Sequence, residues 1–183
     1  MNFTLDDLGS FSVVGEQLDN SMRECVKTLV KIVIFDMDNT LAEAVIKEFK
    51  KRGYIVSIIS DSYDMVVNCL KNKLNLGFAL TDKLEFVYSV ATGKVSIPIT
   101  FVHSPESHCT HSVCKGNAVT ATATKHNGAL YNTIAVGDGD NDICMFRNID
   151  VGVAFCVANP LLKSISCFEI NEKRFAKLLE FEN

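Results

Sequence analysis

Tryptophan is absent from this 183-residue chain, and proline occurs only three times. So little proline excludes collagen-like and proline-rich extended architectures. A 22% charged fraction beside 48% hydrophobic residues excludes a chain left unfolded for want of a core. An excess of basic charge is also missing. The 18 Lys and Arg face 22 Asp and Glu, giving a net charge of −4 and a pI near 5.5. Nucleic acid and anionic membrane both reward a basic face, so neither is expected as the main partner. Mean hydropathy is +0.17, yet no run reaches the roughly 18 apolar residues of a membrane span. The first residues, MNFTLDDLGS, are acidic where a secretory leader carries basic and then apolar residues, so no leader is expected. The seven cysteines are an odd set without disulfide-framework spacing. They predict a reducing, cytoplasmic setting in which thiols act mostly as small buried apolar groups. No G-x-G-x-x-G follows the first apolar run, which argues against a dinucleotide-dependent dehydrogenase.

What is present is a chain long enough for one domain that buries roughly 70% of its unfolded surface. Ile32-Val33-Ile34-Phe35 is a continuous, largely β-branched run that stops at Asp36, as a strand buried on both faces reads. Residues 42–52 carry Val45, Ile46 and Phe49 among Lys and Glu and end at Gly53, predicting an amphipathic helix. A second strand over 54–59 leads into Ser60-Asp61-Ser62 and a helix to about Lys73. Segments 84–90 and 94–101 alternate around Ala91-Thr92-Gly93, a hairpin signal. Residues 115–126 predict a helix, 133–136 and 151–154 two further buried strands, and 173–181 a closing helix. The fold class is therefore α/β: a three-layer, Rossmann-like parallel sheet with helices on both faces and a small β-hairpin insertion. Residues 31–183 are expected to form the core domain. Residues 1–30 are an amino-terminal extension, expected to be helical over Glu16 to Val30 and to pack on that core.

In such sheets ligands sit beyond the carboxyl ends of the strands. Asp36 and Asp38 follow the first strand, Ser60 the second, and Asp138, Asp140 and Asp142 the strand in the 130s. Any one of these Asp residues reads equally well as a helix cap or turn residue. A D-x-D at one strand end and a G-D-x-x-x-D at another do not arise from independent caps. Carboxylates gathered at one edge repel unless a cation neutralises them, and all-oxygen ligands of this kind suit Mg²⁺.

Asp36-Met37-Asp38-Asn39-Thr40, Ser60, Lys115 and Gly137-Asp138-Gly139-Asp140-Asn141-Asp142 resemble, in order and spacing, the four motifs of the haloacid dehalogenase-like hydrolases. Lys83-Leu84-Glu85-Phe86, Thr92-Gly93-Lys94-Val95 and the stretch from Gly137 through Pro160 resemble the phosphoserine phosphatase branch, over about residues 31–165. The resemblance implies a Mg²⁺-dependent phosphomonoester hydrolase. Asp36 would be the nucleophile that forms an aspartyl-phosphate, and Asp38 the general acid and base, its carbonyl also binding metal. Ser60 would donate to a phosphoryl oxygen, and Lys115 would bridge Asp36 and the phosphate. Asp138 would bind the metal directly, and Asp142 would bind it or orient its waters. Asn39, Thr40, Asp61, Ser62, His111 and Asn141 are candidate substrate contacts. The same motifs fit a phosphotransferase, or a catalytically idle module that keeps the fold for binding or regulation.

Two departures bear on the substrate. Only 24 positions separate Asp36 from Ser60, and the predicted helix and strand fill them. This leaves a minimal or absent cap in place of the branch's helical cap. An open site would take a small-molecule phosphate ester or an exposed phosphate on a larger substrate, or be closed by a second subunit in a homo-oligomer. The second departure is His103-x4-His108-Cys109-x-His111-x2-Cys114, which runs straight into Lys115. The spacing fits no standard structural zinc site. Three His and two Cys in twelve residues raise the question of zinc without answering it; either His111 or Cys114 lines the site's edge and helps select the substrate, or the segment is a polar loop with one buried thiol.

Overall fold

The computed structural model describes residues 30–36, 43–103, 109–111 and 113–180. The expected amino-terminal helix, Asp38, Asn39, Thr40 and His108 lie outside the described residues.

Seven strands form one sheet: β1 Val30–Phe35, β2 Tyr54–Tyr63, β3 Ala79–Val87, β4 Val90–Ser96, β5 Gly128–Gly137, β6 Val151–Phe155 and β7 Phe168–Ile170. Their order is β4-β3-β2-β1-β5-β6-β7, and every neighbouring pair is parallel except β3 with β4. The period-2 side-chain alternation of a strand splits β1 between two cores. Ile32 and Ile34 join Ala118, Val119, Met145, Phe146 and Leu162 on one face, while Val33 and Phe35 join Val45, Phe49, Val67 and Leu178 on the other. Helices α1 Glu43–Lys51 and α2 Asp64–Leu74 cover the second face. Helices α3 Lys115–Lys125, α4 Ile143–Phe146 and α5 Pro160–Ile165 cover the first. The result is the expected three-layer α/β fold.

Helix α1 buries Val45, Ile46 and Phe49, the three residues whose spacing predicts it. Removing a side chain as large and buried as Phe49 costs about 3–5 kcal/mol. The Lys50 ammonium crosses to the end of α2 and donates to the carbonyls of Leu74 and Asn75 at 2.6 and 2.5 Å, where a helix leaves acceptors unpaired.

The structure differs from the sequence reading in β2, which runs on to Tyr63 through the expected helix start, at 99–101, a 3-10 turn in place of strand, in the unexpected β7, in the hairpin and at the closing helix. The hairpin turns at Tyr88-Ser89, not at 91–93. Both turn residues have positive φ (49° and 65°), the backbone of the two-residue turn that matches strand twist. Thr92 and Gly93 lie inside β4, where the register shifts, and Thr92 Oγ1 bonds Glu85 Oε2 at 2.9 Å. The first hairpin strand also begins earlier, at Ala79, and pairs in parallel with β2, so the hairpin extends a core strand. Finally, the closing helix is a 3-10 turn over Phe175–Glu180 that buries Leu178.

Candidate active site

The polar edge lies where β1, β2 and β5 end. Asp36 follows β1 directly, and its N–H donates to the Val136 carbonyl of β5 at 2.9 Å, which fixes its carboxylate beside the loop after β5. That loop is a 3-10 turn over Asp140–Asp142. Gly137 is required just before it, because a Cβ there would lie 2.4 Å from Asp142 Oδ2. With that space open, Asp142 folds back and its Oδ2 accepts the backbone N–H groups of Asp138 and Gly139, each at 3.0 Å.

Lys115 opens α3 and is fully buried. Its Nζ donates to Asp142 Oδ1 at 2.8 Å and stands 3.0 Å from Asp36 Oδ2. Burial disfavours the ammonium, but Asp142 first and Asp36 second outweigh it and hold the amine above the ordinary lysine range. A cation fixed between two buried carboxylates is stable only as a set, since removing one member strands the others without solvent. Helix α3 reaches this position because Gly116 lets it close on α4. A Cβ there would meet the Cys144 carbonyl at 2.6 Å. The Cys144 thiol behind it is pushed up to about 12, mainly by burial, and stays a neutral packing group.

Asp36, Asp138 and Asp142 each offer a carboxylate oxygen within 4.8 Å of the others. An all-oxygen set of this spacing suits a hard divalent cation. Within it the three carboxylates are not equivalent: both oxygens of Asp142 are already engaged, one by Lys115 and one by the turn N–H groups, whereas Asp138 is partly open to solvent.

The remaining expected site residues divide into two groups. Ser60 is fully buried in β2, and its Oγ accepts the Ser62 N–H at 3.1 Å. Asp61 and Asn141 meet across the edge, Asn141 Nδ2 donating to Asp61 Oδ2 at 3.0 Å, so the last part of β2 and the turn after β5 are clipped together. His111 stands instead with Cys109, its Nδ1 3.5 Å from that Sγ. One acidic residue on this edge escapes the sequence reading. Asp82 is buried in β3, with Oδ1 lacking a hydrogen-bond partner among the described residues. Burial first, and the nearby Asp61 second, push its carboxyl above the usual Asp range. Its only sequence signal is an acid two residues before a predicted hairpin strand, which reads as a loop.

Comparisons with known proteins identify the family and the fold. The family model of the haloacid dehalogenase-like hydrolases matches residues 99–174. The phosphoserine phosphatase of Methanocaldococcus jannaschii is 31% identical over 171 residues, 89% of this chain and 76% of that protein. The phosphoserine phosphatase of Streptococcus thermophilus is 28% identical over 142 residues, 78% of this chain and 61% of the relative. Among solved structures, an apo phosphoserine phosphatase superposes with a TM-score of 0.72 at 24% identity, covering 84% of this chain and all of that one. A phospho-aspartyl intermediate analogue of phosphoserine phosphatase gives 0.72, also at 24% identity, over 85% of this chain and 100% of the other. These two likenesses show the fold. From the motifs, the fold and the first relative together, the chain belongs to the haloacid dehalogenase-like hydrolases, as a phosphatase-type enzyme of their phosphoserine phosphatase-like branch.

Proposed function

We propose that this protein is a Mg²⁺-dependent phosphomonoester hydrolase that works through an aspartyl-phosphate on Asp36. The observation that carries the reading is the buried Lys115 amine, held at 3.0 and 2.8 Å between Asp36 and Asp142. Asp36 attacks phosphorus in line and displaces the alcohol oxygen. Lys115 lies where negative charge builds on the transferring group, and its orientation is fixed before substrate arrives. Ser60, within β2, offers its hydroxyl to a phosphoryl oxygen. Asp38 is assigned protonation of the leaving oxygen and activation of the water that cleaves the intermediate. Asp36 and Asp138 would hold the metal, which supplies neutralising charge for the phosphate. Asp142 is a positioning residue that sets Lys115 and the turn.

The substrate is a phosphate monoester presented to an open site. Support comes from the 24 positions between Asp36 and Ser60, where α1 and β2 take up residues 43–60. A small-molecule ester and an exposed phosphate on a larger molecule both suit such an edge. Tyr63 and Met65, at the junction of β2 and α2, are exposed large apolar side chains, which favours a second subunit closing the site. A cytoplasmic setting accords with the odd cysteine count, and no helix among the described residues is long and apolar enough to cross a membrane. Phosphate release from p-nitrophenyl phosphate tests the chemistry. Turnover with Mg²⁺ that disappears with EDTA and in Asp36→Asn is the expected result. Turnover that persists in Asp36→Asn would refute the assignment.

A further inference from the structure

The segment that runs from the hairpin into Lys115 holds a second group of donor atoms, chemically unlike the first. A ring nitrogen of His103 and the sulfurs of Cys109 and Cys114 lie within 4.8 Å of one another. His111 Nδ1 stands 3.5 Å from Cys109 Sγ. Two donors on one tetrahedral zinc, at bonds of 2.0 to 2.3 Å, lie roughly 3.3–3.8 Å apart, so this spacing is already that of a ligand pair. His103 Nε2 is buried and has no hydrogen-bond partner among the described residues. An orphaned buried nitrogen of this kind is a cost to the fold. A metal at the cluster would remove that cost.

The backbone explains how residues so far apart in sequence converge. The Cys114 N–H donates to the Phe101 carbonyl at 2.8 Å, and Asn117 Nδ2 to the Val102 carbonyl at 2.6 Å. The two ends of the loop are thus joined immediately outside His103 and Cys114. Part of the entropy of closing the loop is already spent by these bonds, which favours a metal clip there. The donor chemistry separates this cluster from the carboxylates. Sulfur and imidazole ligands select zinc, whereas Mg²⁺ takes oxygen.

We propose that His103, Cys109 and Cys114 bind one structural Zn²⁺ that pins the segment leading into α3, with His111, beside Cys109, turning in to complete the site. On binding, each thiol exchanges its proton for a sulfur–zinc bond, the two protons pass to solvent, and the two thiolates balance the dication's charge. With His111 in the fourth position the tetrahedron would be closed by protein, the mark of a structural rather than a hydrolytic zinc. Cys114 directly precedes Lys115, so the metal would steady the start of the helix that carries the buried amine.

The test uses the full chain with any affinity tag removed, dialysed against metal-free buffer containing Mg²⁺. About one zinc per chain should remain, and cobalt substitution should give tetrahedral visible bands with a thiolate-to-cobalt band in the near ultraviolet. Cys109→Ser and His103→Gln, both at partly exposed positions, should lose the zinc and weaken the cobalt spectrum while circular dichroism stays that of a folded chain. Asp36→Asn should keep the zinc. Wild-type protein that takes up cobalt without a thiolate band, or that retains no zinc, overturns the proposal whatever the variants do. Zinc retained in folded Cys109→Ser overturns it as well. None of these readouts depends on turnover, so failure here leaves the phosphatase assignment untouched.

Discussion

Two clusters of ligand-type side chains approach Lys115 from opposite sides of its helix start, and they differ in how completely the protein satisfies them. On the carboxylate side, Asp142 uses both oxygens and Lys115 joins it to Asp36. On the sulfur and imidazole side, His103 Nε2 has no hydrogen-bond partner among the described residues. The first cluster balances its own charge well enough to be assembled before any substrate or metal arrives. The second gathers sulfur and imidazole donors of the kind that a soft metal ion takes. Pre-organisation therefore has two sources here, an internal cation in one case and, in our proposal, an external one in the other.

The comparison breaks most severely at Asp36. Asp36→Asn removes the nucleophile and should lower turnover by at least about 10³-fold. Single-turnover phosphate release measures this, and zinc content should stay constant. Next is Lys115→Met, which leaves two buried carboxylates facing each other. Urea unfolding should show a loss of about 3–5 kcal/mol, together with a fall in kcat. A neutral effect on stability would mean the internal cation does not hold the cluster together. Smaller again is Gly137→Ala, whose added Cβ must displace Asp142 from 2.4 Å away. A shift near 1 Å at the site should reduce kcat by about 10²-fold, with KM changed less.

The smallest effect comes from Asp82, a buried carboxylate on the same edge with no lysine beside it. Its folded pKa is raised, so its contribution to stability is fully present below the ordinary Asp value of about 3.9 and is lost as pH rises through the folded value. Asp82→Asn should therefore be more stable than wild type near neutrality, with the gap closing toward pH 4. Melting temperatures measured across that range check it. Parallel profiles would mean the Asp82 carboxyl pays no penalty for its burial.

Much of this arrangement is legible in the chain because its signals are short and periodic. The alternation of Ile32, Val33, Ile34 and Phe35 predicts a two-faced strand, and Val45, Ile46 and Phe49 one helix face; both are found as expected. The carboxylate cluster is equally readable, because its members end strands and sit in compact motifs. Other features carry no local signature. Ala79-Leu80-Thr81-Asp82 mixes polarity, so the entry of β3 into the sheet is set by pairing with β2, which the sequence does not display. The turn at Tyr88-Ser89 places two non-glycine residues at positive φ, while the more obvious Gly93 serves a bulge. Asp142 is legible as a site residue, but its bonds to Lys115 and to the turn N–H groups are not. The His and Cys segment fits no spacing rule, because its ligand-like convergence depends on bonds from Cys114 and Asn117 back to Phe101 and Val102.

The central claim is that Asp36, backed by Lys115 and a divalent cation, forms a phosphoryl-accepting site. Beryllofluoride with Mg²⁺ imitates a phosphorylated aspartate, so the most direct measurement is the thermal stability of wild type and Asp36→Asn with and without that pair. The account predicts a rise in melting temperature for wild type that requires both components and is absent in Asp36→Asn. No rise in wild type, or an equal rise in the variant, would contradict it.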